Sequence, residues 1–159
     1  MTARPRVFEA VPRNYHSPRV QEMSTSFWLR TGAIWGFLAV AIGAFGAHGL
    51  KDQFKALGEQ FGPLVTERPE GIFQTATHYH AYCALAIVLV GLVAATGREG
   101  TALQVAGWSL LVGSMIFSGS LYVLAATGIK KLGMITPIGG VFMLIGWVAL
   151  AVAAGAKSN

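Results

Sequence analysis

The sequence predicts an all-α integral membrane protein: an up-down-up-down bundle of four transmembrane helices, with a short interfacial helix between the first and second spans. Three observations carry this. Hydrophobic residues make up 53% of the 159 and charged residues only 12%, against roughly 25% charged in a typical soluble domain. Four stretches contain no Asp, Glu, Lys or Arg: the residues between Arg30 and Lys51, then Tyr79 to Gly97, Thr101 to Ile129 and Leu132 to Ala156. About twenty mostly apolar residues are enough to cross a bilayer as a helix, so each stretch is long enough. Finally, the connections around Arg98-Glu99-Gly100 and Lys130-Lys131 are only a few residues long, and so short a link forces neighbouring helices to run antiparallel.

Residues 1–26 read as a flexible basic arm. The first 22 carry Pro5, Pro12 and Pro18 among Arg4, Arg6, Arg13 and Arg19, with no apolar period that could bury surface. Met23-Ser-Thr-Ser-Phe-Trp-Leu-Arg is an alternative start, which would make the arm a misplaced beginning. An organelle-targeting presequence is a third reading, weakened by Glu9, Glu22 and the prolines. The first apolar run is too long for a signal-peptide core and has no persuasive cleavage site, so it is expected to stay as a span.

The four-span domain covers 27–156, with spans near 28–50, 79–97, 102–128 and 133–156. Between the first two, Phe54, Leu57, Phe61 and Leu64 recur at three, four and three, the spacing of an amphipathic helix lying in the headgroup layer. Pro63 and Pro69 end it, and from Glu70 the chain can run helically into the second span.

The net charge of +5 makes lipid headgroups the natural partner, and the absence of a soluble basic module argues against nucleic acid. Counting Lys and Arg on the two sides favours both termini inside by seven to five; a start at Met23 reverses this to three against five. Cys83, the only cysteine, lies inside a span and reads as a small buried hydrophobe.

Glycines mark close helix contacts. Gly32, Gly36, Gly43 and Gly46, with Ala39 and Ala47, run along span one; Ser114 and Ser118 on span three and Gly139, Gly140 and Gly146 on span four do the same. They serve packing within the bundle, or a homo-oligomer formed through one of these faces.

The antiparallel order brings four polar clusters to one membrane side: His48; His78 with His80; Ser118, Ser120 and Tyr122 with Thr127; and Thr136. An ionisable group in a bilayer suggests function, although His48 is only about 4.5 Å of helix rise from Lys51. His48 is expected either to donate to a neighbouring helix at the interface or to serve as a relay or ligand-binding group. His78 and His80 point roughly 200° apart on a helix and cannot share an ion. His80, Cys83 and His48 fall short of the four ligands of a zinc site, and His48 with His80 could only in principle hold a haem from both faces, so no metal or cofactor is assigned. Thr136-Pro137 reads as a cap followed by proline at the first helical position. With no phosphate loop, no Ser-His-Asp set and no intramembrane carboxylate pair, nothing points to an enzyme.

Several motifs in order carry a resemblance: "GAFGAHGL", a tyrosine and histidine before "ALA", "FSGSLYVLA", "ITPIGG" and "GW". Over residues 27 to about 155 the chain resembles the transmembrane protein 256 and domain-of-unknown-function 423 family, small four-span proteins of the bacterial inner membrane and of mitochondria. The resemblance implies an inner-membrane location and no assigned activity. One departure is Cys83, where the family pattern has a histidine before "ALAL"; a mechanism built on that histidine would not carry over. His48, Tyr122, Thr136 and Pro137 stand at matching positions.

The leading expectation is a non-enzymatic component that packs with itself or within a larger membrane complex. The alternatives are a transport or ligand-binding module using the polar cluster His48, His80, Ser118, Ser120, Tyr122 and Thr136, or a haem- or quinone-binding component.

Overall fold

The computed structural model describes residues 18–61, 69–98 and 100–155. Its elements are α1 (Pro18–Gly49), α2 (Lys51–Phe61), α3 (Pro69–Ala95), α4 (Thr101–Thr127), a 3₁₀ turn (Lys130–Met134) and α5 (Thr136–Gly155). Four segments are long and apolar enough to cross a membrane: Glu22–Gly49, Pro69–Ala95, Thr101–Thr127 and Lys130–Gly155. Among the described residues there is no strand.

Two helices start earlier than hydropathy places their spans. Helix α1 begins at Pro18, inside the stretch read as an arm, and α3 begins at Pro69, ahead of the span placed near residue 79 and next to the Glu70 from which a helical run into it is expected. Hydropathy reports where a helix meets lipid, whereas backbone hydrogen bonding continues into the headgroup layer, and proline is well suited to a helix's first turn. Residues 1–17, with Pro5 and Pro12, lie outside the described residues, as do Pro63 and Leu64 of the interfacial segment. Helix α4 ends where Gly128 turns left-handed at φ 73°, its N–H bonding the Leu124 carbonyl at 2.8 Å, a conformation that glycine adopts without steric cost.

Helices α3 and α4 form the centre: 44% and 39% of their most apolar windows are buried, against 17% for α1 and 28% for the last span. Helix α1 packs antiparallel to α3, α3 to α4 and α4 to α5, while α1 and α5 lie on opposite flanks without an extensive seam between them. Apolar helices gain little from leaving one lipid-like surface for another, so close van der Waals approach must hold them together, and glycine permits it. A methyl group on Gly32 would lie 2.7 Å from the Val88 backbone nitrogen, and one on Gly139 2.5 Å from that of Phe117. Gly43 is similarly pressed by Thr77, and Gly46 by the Phe73 ring. Gly36 and Gly140 meet neighbours only at ordinary distance, 3.7 and 3.8 Å. Close approach also occurs at Gly91 against Leu29, Gly107 against the Trp28 ring, Gly113 against Met143 and Gly146 against Leu110. The glycine stripes are thus used between helices of one chain.

Helix α2 lies across the end of the bundle. Phe54 is buried against Phe73, ring centroids 5.3 Å apart, in a cluster with Ile72, Leu124 and Ala125, and the Gln53 side-chain amide donates to the Ala126 carbonyl at 2.7 Å. This contact ties the amphipathic helix to the end of α4 where that helix leaves the membrane.

Candidate functional site

Beneath α2, polar side chains of α1, α3 and α4 meet inside the bundle. His80 is buried on α3, 3% exposed, with its ring against Trp35 of α1 at 4.7 Å between centroids and its Nδ1 3.2 Å from the Tyr122 hydroxyl of α4. The Trp35 indole N–H donates to Ser114 Oγ at 2.9 Å, and Ser114 in turn donates to the Leu111 carbonyl.

Two hydroxyls continue the polar chain from His80. Thr77 donates its hydroxyl proton to the Phe73 carbonyl at 3.0 Å, so it accepts from Tyr122, whose hydroxyl donates to Thr77 Oγ1 at 3.4 Å. Which of His80 Nδ1 and the Tyr122 hydroxyl donates depends on the histidine tautomer, and the ring also has a backbone hydrogen bond to Trp35. His80 Nε2 is buried without a well-formed hydrogen bond among the described residues, and so is Ser118 Oγ one turn from Ser114. An unmade hydrogen bond of this kind costs about 1–3 kcal/mol.

A second polar contact holds the start of α5. Ser120 donates to the Phe117 carbonyl at 2.9 Å and shares a hydroxyl–hydroxyl hydrogen bond of 2.9 Å with Thr136 Oγ1. The Thr136 hydroxyl also lies 3.4 Å from the Leu132 carbonyl. Threonine here joins two helices through its hydroxyl instead of serving as the simple cap suggested by the Thr-Pro pair.

Of the six residues of the expected cluster, His80, Ser118, Ser120, Tyr122 and Thr136 are buried or half-buried in this half of the bundle. His48 is not among them. It is exposed near the end of α1. Gly46 packs on Phe73, and His80 lies seven residues further along α3, about 10 Å of helix rise. His48 thus makes no hydrogen bond with another helix, and it does not face His80 across a shared ligand. His78 is exposed and stacks on Tyr82, on the opposite side of α3 from His80, as their spacing requires. Among the described residues no three His, Cys, Asp or Glu side chains gather to hold a metal ion.

Two members of the site were missed in the sequence, Trp35 and Thr77. Tryptophan usually stands at the membrane interface and seeks a partner for its N–H, so one placed between Gly32 and Gly36 in mid-span was a readable signal. Thr77, three residues before His80 on the same helix face, was a weaker one.

On the far side of α3 a groove of about 510 Å³ opens between α3 and α5 over α4. Its walls include Tyr79, Tyr82 and Cys83 on α3, Phe117 on α4, and Pro137, Gly140 and Trp147 on α5.

Comparison with known proteins gives this architecture relatives but no activity. No solved structure matches the chain. A "UPF0382 membrane protein" of Staphylococcus epidermidis is 42% identical over 122 residues, 77% of this chain and 89% of its own length. The "UPF0382 membrane protein YwdK" of Bacillus subtilis is 39% identical over 123 residues, covering 77% of this chain and 91% of its own. The profile of the family described as "Protein of unknown function (DUF423)" matches residues 42–140, a segment holding His80, Ser118, Tyr122, Thr136 and the groove's α3 wall. With four apolar helices and these relatives, the chain is a small multi-pass membrane protein that belongs to the DUF423 family.

Proposed function

We propose that the protein is a non-enzymatic ligand-binding module that takes a small hydroxyl-bearing molecule at His80 and Ser118. One observation carries this reading: His80 Nε2 and the Ser118 hydroxyl are both buried without a well-formed hydrogen bond among the described residues. A bound hydroxyl can both donate and accept, so it suits this pair. Conduction is disfavoured by what lies deeper. Past His80 the core is closed by Cys83, Ile87, Val90, Leu103, Leu110 and Trp28, each 0–2% exposed, and a polar chain ending against such packing is a site, not a path. Association with a larger membrane complex would use the lipid-facing surfaces, because most of the striped glycines, Gly32, Gly43, Gly46, Gly139 and Gly146 among them, are in close contact within the chain. The same reading puts the protein in the bacterial inner membrane with both termini inside, in line with the seven-to-five excess of basic residues on the side of the termini.

Native mass spectrometry of gently solubilised protein tests it. The expected result is a small adduct of constant mass on the wild type that is lost in both His80→Ala and Ser118→Ala. A wild type that flies bare, or an adduct that both variants retain, overturns the reading.

A further inference from the structure

The groove between α3 and α5 faces the bilayer. Its rim residues Tyr82, Val141 and Leu144 are 56%, 55% and 67% exposed, all within membrane-spanning helices, so whatever enters comes from the lipid phase. From Pro137 to Trp147 its α5 wall covers ten residues, about 15 Å of rise, or half of a hydrocarbon core about 30 Å thick. It therefore runs from the headgroup level into a single leaflet. The Ser120–Thr136 bond holds the interfacial end of that wall against α4.

Its lining is apolar and aromatic, without a single charged side chain, so a phosphate or ammonium headgroup would find no counter-charge. Polar handles are nevertheless present. The hydroxyls of Tyr79 and Tyr82 have no hydrogen-bond partner among the described residues, and both residues are substantially exposed, at 43% and 56%. Tyr79 packs on Phe117 with centroids 4.8 Å apart and meets Tyr82 edge-on at 6.1 Å, while Trp147 stands on the α5 side. Aromatic rings stack well on a flat ring, and two free hydroxyls suit its carbonyl oxygens. A pocket of roughly 300–1,000 Å³ lined in this way is typical of small-molecule sites.

We propose that this groove binds a neutral membrane lipid with a planar, carbonyl-bearing head and an apolar tail, the chemistry of a quinone, with the head at Tyr79 and Tyr82 and the tail running past Gly140 towards Trp147. The site is separate from that at His80: Tyr79 and Tyr82 leave α3 in other directions, with Cys83 standing between the two, and it involves binding only.

The structure supplies a clean obstruction. A methyl group on Gly140 would lie 3.8 Å from the Phe117 ring, ordinary contact, so Gly140→Leu can fill the groove without forcing helices apart. The full chain in phosphatidylcholine nanodiscs is titrated with decyl-ubiquinone while tryptophan fluorescence is followed. We expect saturable quenching in the wild type, at least tenfold weaker binding in Gly140→Leu, and loss of the saturable component in Trp147→Phe. His80→Ala should keep wild-type quenching, which separates this proposal from the ligand reading at His80. If Gly140→Leu loses its helical circular dichroism, the Tyr79→Phe, Tyr82→Phe double variant replaces it and should bind at least threefold more weakly. Quenching that only rises linearly with quinone, or is unchanged in these groove variants, overturns the proposal. Displacement of decyl-ubiquinone by equimolar phosphatidylglycerol overturns it too, by making the groove a seat for ordinary acyl chains.

Discussion

Towards α2, helices α1, α3 and α4 enclose Trp35, Thr77, His80, Ser114, Ser118 and Tyr122; towards the Arg98 turn the same three helices enclose Trp28, Ile87, Val90, Leu103, Ala106 and Leu110. The second half is held by shape: the Trp28 ring lies flush on Gly107, Leu29 on Gly91, and the aromatic neighbours Phe27 and Trp108 close around Trp28 at 4.9 and 5.5 Å. The first half is held by directed bonds that specify rotamers but leave capacity unused at His80 Nε2 and Ser118, as the second does only at the Trp28 N–H among the described residues. A bilayer offers little hydrophobic gain for helix association, so tight packing should dominate stability while the polar half contributes specificity and, in the function proposed above, a place to bind.

The largest expected effect breaks the shape-held part. At Gly139 a β-branched side chain would collide with the backbones of Phe117 and Gly113, and backbone cannot yield as a flexible side chain can. Gly139→Val should cost about 3 kcal/mol in SDS-titration unfolding, the upper end of overpacking penalties, while Gly140→Ala next to it changes little. Equal tolerance at both positions would remove the argument that backbone contact holds α4 to α5.

Next in size, Tyr122→Phe removes the centre of the polar chain and leaves the ring against Phe73. A loss of about 1 kcal/mol is expected, in the range of hydrogen bonds between membrane helices, with faster hydrogen exchange in α3 near Thr77. An unchanged unfolding curve would mean that the two halves differ in composition but not in how they are held.

The smallest effect belongs to His48. Exposed and without a hydrogen-bond partner among the described residues, it should shift stability by less than about 0.5 kcal/mol when replaced by alanine, and it should leave the ligand adduct at His80 intact. Loss of that adduct in His48→Ala would join the interfacial histidine to the buried site.

Much of this was legible in the sequence for reasons that can be named. Long uncharged runs fixed the number of spans, short links fixed their alternation, and alternation put His80, Ser118, Tyr122 and Thr136 at one end. The helical period alone separated His78 from His80. The helix start at Pro18 was hidden because hydropathy is silent about helix outside the lipid, whereas the start of α3 at Pro69 lies one residue from the Glu70 at which a helical run into the second span was legible. Choosing among the histidines was hidden too: His48 and His80 look alike in composition, each a lone ionisable group near the end of an apolar run.

The sequence by itself therefore determined class, span number, topology and the membrane half in which polar chemistry gathers, because these depend on sums along one helix. Tertiary structure decided the rest: that His80 turns inward and His48 outward, that Trp35 and Thr77 complete the site, that the glycines are used within the chain, and that α3 and α5 stay far enough apart to leave a groove. Those outcomes depend on how each helix is rotated against its neighbours, which is set by contacts between residues such as Trp35 and Ser114, far apart in the chain, that no local pattern can pair.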